Sequence, residues 1–198
     1  MRLLRLIEHV SLDGVIEIST GDSGGSTFPY GDWTAPYRTP EGLCKVLELY
    51  GEEFDLVLGR RTYDHWASYW PGAPASPMSH RLMRATKHVA THRPDSLHWG
   101  PARALGEDIL TRLRELKATS GPPLISAGSA SLTTPLLEFG MVDELIQFVN
   151  PVYLGTGKRL MGDGAPAQRF VLLSSEALPS GILINRYRPH GQLQALSE

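Results

Sequence analysis

The sequence predicts an α/β fold: a single mixed, mostly parallel sheet flanked by helices, with antiparallel strands added at its C-terminal end. Three observations carry this. From residue 3 to about residue 140, short apolar runs alternate with stretches of helical period, as expected of parallel strands joined by crossover helices. Beyond residue 143, strand follows strand with no helix between. The chain's 198 residues, 41% hydrophobic and 20% charged, suit one ordinary core. There is no internal repeat, low-complexity tract or linker, so residues 1–198 read as one domain.

Residues 3–10 form the first strand, closed near Ser11 by the turn "SLDG". Residues 19–36 are rich in Gly, Ser and Pro and form a long loop, which inside a compact domain is commonly functional. A helix covers 40–51, with Leu43, Val46, Leu47 and Tyr50 on one face and Gly51 as its stop. Residues 55–58 form a short buried strand broken by Gly59, and Thr62, Tyr63, Trp66 and Trp70 then fall at helical spacing, giving a helix over 60–66. Trp66, Tyr69 and Trp70 are assigned to core or pocket wall. A Pro-rich loop leads to a short helix at 78–85 and a strand at 87–91. Residues 106–117 form an amphipathic helix with Ile109, Leu110, Leu113 and Leu116 inward. "PPLISAGS" is a strand running into small residues, and 131–139 is a helix ended by Gly140. Residues 143–155 read as a long strand interrupted by Pro151, followed by the strands "QRFVLLSSEAL" and "ILINRYRP".

The bulk numbers exclude several classes. A net charge of −2 gives no electrostatic footprint for nucleic acid. No run approaches the roughly 18 apolar residues that a membrane helix needs. The N-terminal "MRLLRLIEHV" lacks a signal peptide's cleavage site and reads as the first strand. Cys44, the lone cysteine, lies in an apolar helical pattern with nothing nearby to depress its pKa, which points to a reducing, cytoplasmic setting. His88 and His92 are four apart on a strand, and His98 follows at the start of another; zinc needs three or four converging ligands, so no metal is expected.

The chemistry gathers where three front strands end. Their carboxyl ends supply Gly59-Arg60-Arg61-Thr62, Thr91-His92-Arg93 and Gly128-Ser129-Ala130-Ser131. In a parallel sheet these ends share one edge, and two of them lead into helix N-termini, which favour phosphates. Arg60 and Arg93 add forked donors suited to a phosphate monoester. No G-x-G-x-x-G follows a strand, which argues against an ordinary Rossmann dehydrogenase. "GTGKR" at 155–159 lacks the upstream glycine and the following Ser or Thr of a P-loop.

Taken in order, "SLDGVI" (11–16), "GDWTAPY" (31–37), "LGRRTYDHWASYWP" (58–71), "KHVATHRP" (87–94), "LLEFGMVDEL" (136–145) and "NPVYLGTGKRLMGDG" (150–164) carry a resemblance that runs nearly end to end. The chain resembles the dihydrofolate reductase-like family, in the branch related to the reductase domain of the bacterial riboflavin-biosynthesis protein RibD. The resemblance implies an NADPH-binding fold with a sheet of about eight strands. By the same resemblance, Gly59, Arg60, Arg61 and Thr62 match the turn that holds the cofactor's phosphates. Thr91, His92 and Arg93 match the segment beside the adenosine 2′-phosphate, and Gly128, Ser129, Ala130 and Ser131 match a glycine-rich loop over the pyrophosphate, with only Gly128 a glycine here.

One departure bears on the substrate. Dihydrofolate reductases place a carboxylic acid two residues after the proline of "W-x-x-P"; here Trp33-Thr34-Ala35-Pro36 is followed by Tyr37 and Arg38. A cation does not favour a protonated pterin, whereas it suits a phosphorylated or carboxylate-bearing substrate. Asp13, Trp33 and Arg38 are the substrate-side candidates, Asp13 also being placed to cap the "SLDG" turn. The implied activity is NADPH-dependent reduction of a small heterocyclic or carbonyl substrate, riboflavin-pathway-like rather than dihydrofolate reduction, with the proton donor unassigned. The alternative is a nucleotide-binding protein without the chemistry. Leu145, Ile146, Phe148, Val149, Val152, Tyr153 and Leu154 put apolar groups on both faces of the 143–155 strand, and a homodimer is expected to cover what the front helices cannot reach.

Overall fold

Strand pairing follows the apolar runs. The computed structural model, which describes residues 1–18, 28–162, 165 and 167–193, contains β1 (Leu4–Val10), β2 (Asp55–Gly59), β3 (Lys87–Ala90), β4 (Ala102–Ala104), β5 (Leu124–Ser126), β6 (Glu144–Val149), β7 (Gln168–Ala177) and β8 (Leu183–Gln192). They form one eight-stranded sheet in the order β4-β3-β2-β5-β1-β6-β8-β7. The first six strands are parallel, and β8 and β7 add antiparallel. Residues 19–27, which fall in the expected long loop, and residues 163, 164, 166 and 194–198 lie outside the described residues.

Among the described residues, five α-helices flank the sheet: α1 (Pro40–Tyr50), α2 (Arg60–Tyr69), α3 (Pro77–Arg84), α4 (Ile109–Ala118) and α5 (Ala130–Glu138). Alternate residues of the central strands feed two cores. Ile7, Leu58, Ile125, Ile146 and Phe148 pack with Tyr50 of α1, Tyr63 of α2 and Leu82 of α3. Leu6, Val57, Leu124 and Leu145 pack with Leu113 of α4 and Leu136 of α5. A small third cluster joins Val15, Phe28, Trp33 and Leu154. No helix among the described residues is long and apolar enough to cross a membrane.

Several expectations are corrected. The 143–155 strand ends at Val149, because Asn150 turns its side-chain amide onto Phe148 C=O (2.8 Å) and Pro151 has no N–H to continue the ladder. Of its apolar residues, Leu145 joins one core, Ile146 and Phe148 the other and Leu154 the third cluster, whereas Tyr153 is exposed. Val171, Leu172 and Leu173 on the edge strand β7, with Leu183 on β8, are exposed as well. α2 runs on to Tyr69, which is exposed, and the strand expected from His98 is β4, three residues long and starting at Ala102. On α1, Leu43 and Cys44 face outward; Val46, Leu47 and Tyr50 are the residues that pack inward.

Candidate functional site

The carboxyl ends of β1, β2, β3 and β5 share one edge of the sheet. β2 runs straight into α2 with Gly59 as N-cap, and β5 enters α5 through Ala127, Gly128 and Ser129. Thr39, Ser76 and Asp108 cap α1, α3 and α4 with a side-chain oxygen, whereas α2 and α5 have no side-chain cap. Their leading N–H groups, at the positive end of each helix, are thus left for an outside acceptor.

The two helix ends are locked together. Gly59 N–H donates to Ser129 Oγ (2.8 Å), the Ser129 hydroxyl to Thr62 Oγ1 (3.1 Å), and the Thr62 hydroxyl to Gly128 C=O (3.1 Å). Both glycines are dictated by closeness. A Cβ on Gly59 would stand 3.3 Å from Ser129 Oγ; one on Gly128, where φ is +68°, would stand 3.2 Å from Thr62 Cγ2. Ala130 and exposed Ser131 form the first turn of α5 beside them. Beneath the loop, Gly128 N–H donates to Glu8 Oε1 at 2.6 Å. Burial drives the Glu8 carboxyl up to about 8, against the lowering effect of that N–H.

The basic residues divide into two kinds. Arg60 and Arg93 do meet, but at Asp64: Arg60 Nε spans both carboxylate oxygens (2.8 and 2.9 Å), and Arg93 reaches one at 3.7 Å. Arg60 Nη1 also donates to Arg93 C=O (3.0 Å), Ser96 Oγ (2.7 Å) and Thr91 Oγ1 (3.3 Å). Arg60 therefore ties the segment after β3 to the start of α2. Buried Thr91 accepts the Arg93 N–H at 3.0 Å. His92 and Arg93 project into solvent, as does Arg61, whose charge acts on Glu17.

On the substrate side, two of the three candidates are held by hydrogen bonds to their surroundings. Asp13 accepts from Ser11 Oγ (2.7 Å) and from the N–H groups of Leu154 (3.1 Å) and Gly155 (2.9 Å), bonds that hold its carboxyl down at about 2. Trp33 is buried in the third cluster and donates its indole N–H to Glu17 C=O at 2.7 Å. Arg38 is exposed, pairs with Asp32 at 2.6 Å and donates to Thr34 Oγ1 at 3.1 Å.

Sequence reasoning passed over Glu8 and His9. His9 stacks on Phe148 with ring centroids 4.7 Å apart, and its buried Nδ1 has no hydrogen-bond partner among the described residues. Burial, reinforced by Arg38 and opposed by Asp32, lowers its pKa to about 4, so the ring is neutral at neutral pH. The available signal was an adjacent Glu-His pair inside a mainly apolar strand buried on both faces. Among the described residues no group of three His, Cys, Asp or Glu side chains could hold a metal ion.

The model of the RibD C-terminal domain family matches residues 2–184. An uncharacterized protein of Bacillus subtilis, YyaP, is 27% identical over 187 residues, 92% of each chain. Among solved structures, a putative riboflavin biosynthesis protein from Shewanella sp. PV-4 superposes with a TM-score of 0.68 at 18% identity, covering 95% of this chain and 99% of that one. Dihydrofolate reductase from Enterococcus faecalis, complexed with NADP(H), superposes with a TM-score of 0.60 at 16% identity, covering 94% and 96%.

Proposed function

The chain belongs to the RibD C-terminal domain family, and from that premise we propose that it is an NADPH-dependent reductase of a small heterocyclic or carbonyl substrate, of riboflavin-pathway type rather than a dihydrofolate reductase. The observation that carries this reading is the pair of uncapped helix N-termini, α2 and α5, hydrogen-bonded to each other through Gly59 and Ser129. The residues present fit a dinucleotide. A side chain at Gly128 would crowd Thr62, and Ser129, Ala130 and Ser131 are small enough to leave the N–H groups approachable. When bound, the cofactor supplies a hydride. The protein's part is to fix the pyrophosphate over these N–H groups and to set Arg38, Asp32 and neutral His9 on the substrate side. Arg38, standing where dihydrofolate reductases carry an acid, favours an anionic substrate. It also keeps open a second reading, a nucleotide binder without turnover. NADPH oxidation across a panel of phosphorylated heterocycles and carbonyl compounds separates the two.

Cofactor choice is testable by melting. NADPH at 100 times its dissociation constant adds about 2.7 kcal/mol of apparent stability, and NADH should add much less. Arg93→Ala should remove most of the difference at little cost to the apo protein, because Arg93 is exposed and only loosely held by Asp64. Arg60→Ala should instead lower apo stability, since it breaks the tie to Thr91 and Ser96. Equal shifts with both nucleotides would sink the assignment.

A second copy of the chain is the proposed partner, seated on β7. An exposed apolar edge strand carrying Val171, Leu172 and Leu173 is a pairing surface that monomers usually blunt. Light scattering should give a mass near twice 21.8 kDa; a mass near 21.8 kDa refutes the dimer.

A further inference from the structure

Glu8 is a buried acid that no ion pair explains. The other buried charged groups near the sheet have partners: Arg2 pairs with Asp55, Lys117 with Asp143, and Glu144 with Arg5 and Arg186. Buried Lys87 donates to two carbonyls and lies over Trp99. Glu8 accepts one hydrogen bond, from Gly128 N–H to its Oε1. Two residues before Gly128, Ser126 adds a buried hydroxyl with no hydrogen-bond partner among the described residues.

Among the described residues no charged side chain compensates it. Gln147 lies opposite on β6, β5 contributes Ser126, and α5 carries no charge before Glu138. Tyr50, across the sheet, has its pKa raised by burial and by Glu8 itself. The charges around the cradle are Arg60, Arg61 and Asp64 on α2, His92 and Arg93 after β3, and Glu17 near Arg61.

We propose that Glu8 is a positioning residue of the dinucleotide cradle: a neutral carboxyl that fixes the Gly128 turn and must keep its proton for the cradle to take a pyrophosphate. The proposal rests on the dinucleotide reading above. Ionising Glu8 would place a negative charge beneath the N–H groups that face the ligand, and a buried carboxylate with one donor would draw the loop open toward water. Ligand and proton must therefore bind together, and each strengthens the other. Gln at this position keeps an acceptor for Gly128 N–H but cannot ionise.

NADPH affinity, read by nicotinamide fluorescence from pH 7 to 9.5, tests this; a phosphate's second ionisation, near pH 6, lies below that window. With Glu8 titrating near 8, only the protonated fraction is competent, so wild-type affinity should fall about tenfold between pH 7 and 9. Glu8→Gln should bind as tightly as wild type at pH 7 and stay flat. Glu8→Ala, which removes the acceptor, should bind weakly throughout. Inorganic pyrophosphate, followed by thermal shift in the same series, separates the proposal from its premise. If NADPH binds and wild type and Glu8→Gln share one pH dependence, the proposal falls and the cofactor reading stands. If only pyrophosphate shows the Glu8-dependent profile, the coupling stands and the NADPH reading falls. If neither anion binds, both fall.

Discussion

Gly157→Ala should lower stability by roughly 3 kcal/mol, equivalent to roughly 10 °C in melting temperature. The glycine has a φ of +118°, and a Cβ there would stand 2.6 Å from Val15 Cγ1 and 2.8 Å from Phe28 Cε2. Both are buried members of the third cluster with Trp33 and Leu154. The segment around Gly157 is laced to the turn after β1: Ile16 N–H donates to Lys158 C=O (2.9 Å), and Leu160 N–H to Gly14 C=O (2.8 Å). The loop cannot retreat without breaking these bonds, so the clash falls on Val15 and Phe28. Gly106→Ala is the control. Its φ is +76°, but nothing lies within 4 Å of the added carbon, so only the backbone penalty of about 1 kcal/mol remains. Urea denaturation of the two variants should give clearly unequal losses; equal losses would show that the 155–160 loop yields.

That glycine also illustrates what the sequence could convey. "GTGKR" was legible as something other than a P-loop, but its purpose depends on residues more than a hundred positions away, which no local pattern displays. The parallel half of the sheet was legible because strands buried on both faces are predominantly apolar runs, as in "LLRLI" and "DLVLG", each with a single charged residue. β4 was legible only as a strand starting near His98, with its bounds misplaced because Ala-Arg-Ala carries no periodic signal. The end of β6 was misjudged because apolar residues continue past Pro151, while the ladder stops where Asn150 folds onto the backbone. At the candidate site the glycines and arginines were readable by type, yet the outcome for Arg60 turned on partners. Asp64, four residues on, was within reach of helix-spacing rules; Ser96, thirty-six residues away, was not. Glu8 and His9 were overlooked because strand reasoning counts apolar positions, and a polar residue at the end of a buried strand then looks like noise.

Glu8→Gln should also flatten the loss of stability that the wild-type protein suffers as pH rises from about 6.5 to about 8. The sign follows from proton binding. Glu8 titrates near 8 in the folded chain and near its ordinary 4.5 when unfolded. Between those values the native state holds a proton that the unfolded state has released, so stability falls with rising pH, up to about tenfold in the folding constant per pH unit. His9 works in the opposite direction: its folded pKa of about 4 lies below its ordinary 6.5, so it adds stability as pH rises through that interval. The two slopes oppose each other from about 4.5 to 6.5 and nearly cancel. Above 6.5 His9 is neutral in both states and Glu8 acts alone. Lys87, lowered by burial to about 8, reverses the trend only beyond that point, because there the unfolded state binds the extra proton. The wild-type protein should therefore be least stable near pH 8, having lost about 2 kcal/mol from pH 6.5, while Glu8→Gln should lose little over the same interval. Chemical denaturation at pH 6.5, 7.25 and 8 measures both slopes without any ligand. Parallel slopes for the two proteins would mean that Glu8 is already ionised in the folded chain, with water reaching its carboxylate beneath Gly128.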